Sequence, residues 1–207
     1  DTPQETLPVT VPIPGRFTVY NALGALACCY DLGIPLAKAI QALEKVPPVK
    51  GRLEVVPVPA PYTVVIDYAH TPDALEQVLA DARRVTQGRL ICLFGCGGDR
   101  DKTKRPVMGE IAASLSDLVI LTSDNPRTED PEAILDQVAA GFPRGFADYH
   151  REPDRRAAIA LALSLGRAGD VILLAGKGHE TYQEIGKNRL PLDEREEIAS
   201  FFQKSKV

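Results

Sequence analysis

Apolar residues in this chain fall into short unbroken runs separated by stretches with a helical period, and the runs carry the fold. Residues 63–66 (Thr-Val-Val-Ile), 90–94 (Leu-Ile-Cys-Leu-Phe), 118–121 (Leu-Val-Ile-Leu) and 171–175 (Val-Ile-Leu-Leu-Ala) are almost wholly apolar and bounded by turn formers. Runs of that length read as buried strands, and strands without alternation belong to parallel sheets covered on both faces. Helix signals lie between them. Thr71-Pro72 makes an N-cap and first-turn pair, with Leu75, Val78, Leu79 and Ala82 following at helical spacing. Pro106, Pro131 and Pro153 each mark the opening of a further helix, and Gly141 ends the one begun at Pro131. Strand and helix in alternation predict an α/β fold, a Rossmann-like, doubly wound, mostly parallel sheet.

Residues 1–50 follow a different pattern. Pro8, Pro12 and Pro14 give an extended lead-in. Residues 20–32 predict a helix with Leu23, Leu26, Ala27 and Tyr30 on one face, and residues 36–45 a second, short helix behind Pro35. The stretch Val46-Pro47-Pro48-Val49-Lys50-Gly51 then divides the chain. Two helices bury too little surface to stand as a domain. Residues 1–50 therefore read as the end of a larger domain and residues 51–207 as a complete one. A first residue of Asp1 rather than Met agrees with a piece of a longer protein.

Charge and cysteine usage narrow the function. A formal net charge of -4 argues against nucleic-acid binding through bulk electrostatics. There is no apolar run long enough to span a bilayer and no leader-like segment, so membrane and secreted readings lose support. Cys28, Cys29, Cys92 and Cys96 match neither a zinc pattern nor a disulfide framework, and reduced thiols in a cytoplasmic protein are expected.

Each of the four strands ends in a polar cluster: Asp67-Tyr68-Ala69-His70, the loop from Gly95 to Arg105, Asp124-Asn125-Pro126-Arg127, and Gly176-Lys177-Gly178-His179-Glu180. Open parallel sheets bind ligands beyond the carboxyl ends of their strands, so clusters converging on one edge predict a binding crevice. Pro126 fixes its own φ and pushes Asn125 toward extended geometry, giving a stiff turn that can recognise a small charged molecule. In the loop after the second strand, Gly95, Gly97 and Gly98 would let backbone N–H groups approach a ligand. Arg100, Lys102, Lys104 and Arg105 there outnumber Asp99 and Asp101, which suits an anion. The glycine spacing is not that of a dinucleotide fingerprint, which disfavours a nucleotide-dependent oxidoreductase, and Gly176-Lys177-Gly178-His179 is not a Walker A loop. His150, between Tyr149 and Arg151, reads as a surface residue.

Taken in order, Gly15-Arg16-Phe17-Thr18-Val19-Tyr20-Asn21, Gly51-Arg52-Leu53-Glu54, Asp67-Tyr68-Ala69-His70-Thr71-Pro72, the Gly95–Asp101 loop, Lys104-Arg105-Pro106, Asp124-Asn125-Pro126-Arg127 and Gly176-Lys177-Gly178-His179-Glu180 resemble the motifs of the Mur ligases. The likeness runs over nearly the whole chain, from about Pro12 to the final helix, and is nearest to the members that handle diaminopimelate. It implies ATP-driven amide ligation. The γ-phosphoryl of ATP passes to the D-glutamate carboxylate of UDP-MurNAc-L-Ala-D-Glu, and the amine of meso-diaminopimelate attacks the acyl phosphate. By the same resemblance, Asn21 and Arg52 reach the adenine and phosphate region and Asp67 the ribose. Arg100, Asp124, Asn125, Pro126, Arg127, Gly176 and Glu180 match diaminopimelate-binding positions.

Elementary chemistry makes those implied roles reasonable. Arg127 can grip a carboxylate as a planar fork, and Glu180 can accept from an ammonium. His179 and Glu180 are both candidate bases for the attacking amine. Family enzymes have three domains, and the P-loop and the residues that hold Mg2+ are expected in a central domain outside this chain, so no metal ligand is assigned here. Residues 46–51 would be the hinge on which the last domain swings. Thr18 departs from the Asn common at its position. A lysine-adding or folylpolyglutamate-type ligase and a stand-alone diamino-acid-binding module remain alternatives. The 207-residue polypeptide alone is expected to be inactive as a ligase. Phosphate release from ATP in the presence of the UDP-linked dipeptide and diaminopimelate should stay at background, and turnover would overturn this reading.

Overall fold

The computed structural model describes residues 6–13 and 15–204, so Pro14 lies outside the described residues. The chain forms two compact units that divide between Val49 and Lys50. In the first, helices α1 (Arg16–Asp31) and α2 (Leu36–Leu43) bury Leu26 against Ala39 and Ile40, with Leu7, Cys29, Leu36 and Leu43 packed around them. Helix α1 starts at Arg16, ahead of the predicted Tyr20, and α2 ends two residues before the predicted Lys45. The buried stripe of α1 is Thr18, Ala22 and Leu26, which shares only Leu26 with the predicted apolar face. Leu23 and Tyr30 are exposed. One short partner helix covers one i, i+4 stripe, and the remaining apolar residues lie around the helix from it.

The second unit holds strands β1 (Glu54–Val56), β2 (Thr63–Asp67), β3 (Leu90–Phe94), β4 (Leu118–Leu121), β5 (Tyr149–Arg151) and β6 (Val171–Ala175) in one sheet. Their order is β1-β2-β6-β3-β4-β5, parallel throughout except for β1 against β2. Helices α3 (Pro72–Val85), α4 (Lys104–Leu115) and α5 (Pro131–Ala139) pack side by side. Helices α6 (Arg155–Leu165) and α7 (Glu194–Lys204) pack together, and Val64, Ile66, Ile91, Leu93, Ile120, Ile172 and Leu174 meet Ile159, Leu163 and Ile198 in one core. Every residue of β6 is buried; covering a strand of that composition contributes on the order of 10 kcal/mol before chain entropy is charged against it. The doubly wound, mostly parallel sheet is as the apolar runs predicted.

Two strands and a hairpin were not foreshadowed. β1 and β5 are three residues long, and β5, which contains His150, is exposed along its length. β7 (Tyr182–Ile185) and β8 (Asn188–Pro191) form a separate antiparallel hairpin with little apolar content. Two proline assignments shift. Helix α4 begins at Lys104, placing Pro106 in its first turn, where an absent N–H leaves no bond unmade. Helix α6 is capped by Asp154, whose side chain accepts from Arg156 and Ala157, so Pro153 stands just outside it.

Two glycines set how closely α4 and α5 approach. A Cβ on Gly109 would stand 2.1 Å from the Val138 carbonyl oxygen, and one on Gly141 would stand 1.8 Å from that of Pro106. Alanine is the better helix former by about 1 kcal/mol, yet overpacking costs about 1–3 kcal/mol, so contact wins over propensity. Gly109→Ala is therefore expected to lower the unfolding free energy measured by urea titration; a stabilised variant would contradict this packing.

Candidate functional site

Because β2, β6, β3 and β4 are parallel neighbours, their carboxyl ends share one edge, and the return through α6 inserts β6 between β2 and β3. All four polar clusters therefore lie along that edge. The turn after β4 is clasped from two sides. From the β3 loop, Gly98 N–H donates to the Asn125 carbonyl at 2.9 Å. A Cβ on Gly98 would stand 1.9 Å from the Pro126 oxygen, and one on Gly95 would stand 2.2 Å from that of Thr122. These two glycines serve a close approach of loop to loop, where the sequence suggested an approach to a ligand. From the hairpin, Gln183 Nε2 donates to the Asp124 carbonyl at 2.7 Å. Glu184 N–H donates to Asn125 Oδ1 at 2.9 Å.

At the centre lies Lys177, fully buried. Its Nζ donates to Glu180 Oε2 at 2.9 Å and Asn125 Oδ1 at 3.1 Å, and Asp124 Oδ1 is 3.6 Å away. Asn125 Nδ2 donates to the same Glu180 oxygen at 3.1 Å. Burial alone would raise the Glu180 carboxyl, but the hydrogen bond and charge of Lys177 outweigh it and hold the group below its ordinary value. Beneath these tips, Arg155 donates to the Ser123 carbonyl at 3.2 Å and the Ala175 carbonyl at 3.0 Å. It is also paired with Glu194, both side chains being fully buried.

Arg127 has a left-handed backbone, φ 51°. Its Nη1 donates to the Gly98 carbonyl at 2.8 Å and its Nε lies 2.9 Å from Glu184 Oε2. The basic loop is less free than its composition suggested. Arg105 is fully buried and forks onto Glu129 at 3.0 and 2.9 Å. Lys102 Nζ is 3.1 Å from the same carboxylate, and Lys104 donates to the His70 carbonyl at 2.7 Å. Arg100 remains exposed, its Nη1 on the Asp99 carbonyl.

Across the edge, Gly51 crosses Gly178 so closely that a Cβ on Gly51 would stand 2.3 Å from the Gly178 carbonyl carbon. Asp67 is buried and accepts from the Leu53 and Ala69 N–H groups, both at 2.8 Å; burial pushes its carboxyl up despite them. Exposed Arg52 lies over the Tyr68 ring at 5.1 Å, and the His70 and His179 rings flank it at 4.7 and 5.0 Å. His179 is exposed. Asn21 is exposed on α1 in the other unit.

The structure thus brings Asp124, Asn125 and Glu180 into one network, with Arg127 and Gly176 beside it and Arg100 at the rim. Lys177, Gln183 and Glu184 were missed. Glycines flanking a lysine at the end of a wholly buried strand hinted at the first, and Gly186, at φ 59° in the two-residue hairpin turn, hinted at the hairpin carrying the others.

Together, the strand order and the charged tips define a Rossmann-like domain with residues of both charge signs gathered at the carboxyl edge of its parallel sheet. Residues 51–178 match the family described as Mur ligase, glutamate ligase domain, and the chain belongs to that family. The chain is 49% identical over 195 residues to the UDP-N-acetylmuramoyl-L-alanyl-D-glutamate–2,6-diaminopimelate ligase of Clostridioides difficile, covering 94% of this chain and 40% of that protein. It is 50% identical over 197 residues to the enzyme of the same name from Synechococcus elongatus, covering 95% and 39%. A solved structure of a ligase of that name superposes with a TM-score of 0.74 at 40% identity, covering 100% of this chain and 42% of the other. The chain spans about two fifths of the length of the curated relatives it matches.

The Arg105 guanidinium, helped by the Asp99 N–H, depresses the Glu129 carboxyl to about 2. A depressed carboxyl contributes stability that is present above its unfolded value and lost as pH falls through its folded one. The melting temperature of the native chain should therefore fall from about pH 4.5 toward pH 2 more steeply than that of Glu129→Gln, as the ordinary carboxyl value requires. Parallel curves would contradict the pairing.

Proposed function

We propose that this chain is the C-terminal part of an ATP-dependent ligase that adds meso-diaminopimelate to UDP-MurNAc-L-Ala-D-Glu in the cytoplasm, and that residues 51–207 bind the incoming amino acid. Residues 1–50 would end the central ATP-binding domain. The observation that carries the reading is the placement of opposite charges on either side of Asn125. Among the described residues Arg127 bonds through Nε and Nη1, leaving Nη2, and Glu180 uses Oε2 for Lys177 and Asn125, leaving Oε1. A free amino-acid end carries a carboxylate and an ammonium, which such a pair can read together. Lysine lacks the far carboxylate, so Arg127 favours diaminopimelate.

The lowered Glu180 carboxyl suits an anion that holds an ammonium better than a base that takes its proton, because a good base titrates near the working pH. His179 is the better candidate for that task on accessibility. Arg52, over Tyr68 and exposed, would meet the phosphates of ATP, with Asn21 toward the adenine. The two oxygens of Asp67 each accept one backbone N–H, and a carboxylate has further lone pairs for a ribose hydroxyl. Among the described residues no group of three or more His, Cys, Asp or Glu side chains is placed to hold a metal ion.

In the full-length enzyme, Arg127→Ala is expected to raise KM for diaminopimelate by about ten- to a hundredfold, the worth of a charge-assisted hydrogen bond. Steady-state kinetics with diaminopimelate varied would check it; an unchanged KM would remove the substrate assignment.

A further inference from the structure

Arg127 is a long side chain on a strained backbone, and one residue of the hairpin touches it at both levels. The Arg127 N–H donates to the Glu184 carbonyl at 3.0 Å, and Gly186 N–H donates to the Arg127 carbonyl at 2.7 Å, closing a parallel bridge between Arg127 and Ile185. These bonds hold the left-handed φ of 51°. The Glu184 side chain then takes Arg127 Nε at 2.9 Å while Gly98 takes Nη1 at 2.8 Å. Contacts on two different edges of a planar group fix its plane as well as its position. Glu184 N–H also donates to Asn125 Oδ1, alongside Lys177, so the amide has its oxygen inward and its nitrogen toward Glu180.

Glu184 is held in turn. Its other oxygen accepts from Arg189 Nε at 3.0 Å, and the Arg189 guanidinium lies 4.5 Å from the Tyr182 ring centroid. The Glu184 carboxylate offsets much of the Arg127 charge. Attraction for any passing anion is thereby reduced, while a carboxylate presented in the guanidinium plane still gains its directional bonds.

We infer that Glu184 is a positioning residue for substrate specificity: it aims Arg127 at the far carboxylate of the incoming amino acid and, through its N–H, orients Asn125 beside it. This rests on the reading of Arg127 given above. Pre-organisation of this kind raises affinity by removing the freedom that the side chain would otherwise lose on binding.

The test uses the full-length enzyme and three variants, with KM determined separately for diaminopimelate, ATP and the UDP-linked dipeptide, and thermal melts run on each protein. Glu184→Ala is expected to raise KM for diaminopimelate about tenfold, the loss of one charge-assisted hydrogen bond, with kcat and the other two KM values within about twofold. Glu184→Asp, whose carboxylate is drawn back by one methylene, should behave like the alanine variant. Glu184→Gln, whose amide oxygen can still accept from Nε, should recover most of the loss. An unchanged KM for diaminopimelate in the alanine and aspartate variants would overturn the inference, as would a parallel rise in all three KM values. Should the alanine variant fail to fold, the contrast between aspartate and glutamine decides. Arg127→Ala separates the two levels: if it raises KM while the Glu184 variants do not, only this inference fails; if it too is silent, the substrate reading fails first.

Discussion

The strand-tip edge of this domain is organised around one buried ammonium. Lys177 Nζ has no access to water, and an isolated charge so placed would cost several kcal/mol. It is tolerable because Glu180 and Asn125 accept from it and Asp124 lies close by, each delivered from a strand tip or the loop beyond it. That requirement fixes the register of one loop against another. Asn125 must turn its oxygen inward, which sends its nitrogen to Glu180, the carboxylate that also neutralises Lys177. The charge that stabilises the edge and the residues proposed to read a ligand belong to a single network.

Two further devices keep that network in place. Glycines at 95 and 98 let the β3 loop lie directly on the β4 turn, where any Cβ would meet backbone. The hairpin closes the other side and holds Arg127 in a left-handed conformation, which costs about 1–2 kcal/mol. Its two backbone hydrogen bonds there, worth about 0.5–1.5 kcal/mol each, are enough to offset that strain. From below, Arg155 fixes the carbonyls of Ser123 and Ala175, the residues just before Asp124 and Gly176. Side chains held from three directions in this way keep one arrangement, as the ends of parallel strands allow.

Much of the fold was legible in the chain because buried parallel strands are continuous apolar runs, and 63–66, 90–94, 118–121 and 171–175 all proved to be strands. The helix starts at Thr71-Pro72 and at Pro131 were equally plain, since a capping side chain or a first-turn proline acts locally. The elements that escaped are those whose stability is not local. β5 is exposed and β7 carries Gln183 and Glu184, so neither shows an apolar pattern; each exists because a neighbour supplies the pairing. The face of α1 escaped for the same reason, since burial there depends on what α2 covers.

For the site, the chain by itself determined which residue types stand at the strand ends, and the parallel topology it implied placed them on one edge. Only the tertiary structure decided how they are used. Arg105 and Lys102, which looked like a cationic lure, are bound to Glu129, while Lys177, which looked like part of a glycine-rich loop, is the buried hub. The physical reason is range. Backbone preference and apolar period are properties of a few adjacent residues, whereas the hydrogen-bond partners of a charge can lie 24 to 55 positions away, as Glu129 does from Arg105 and Asn125 from Glu180.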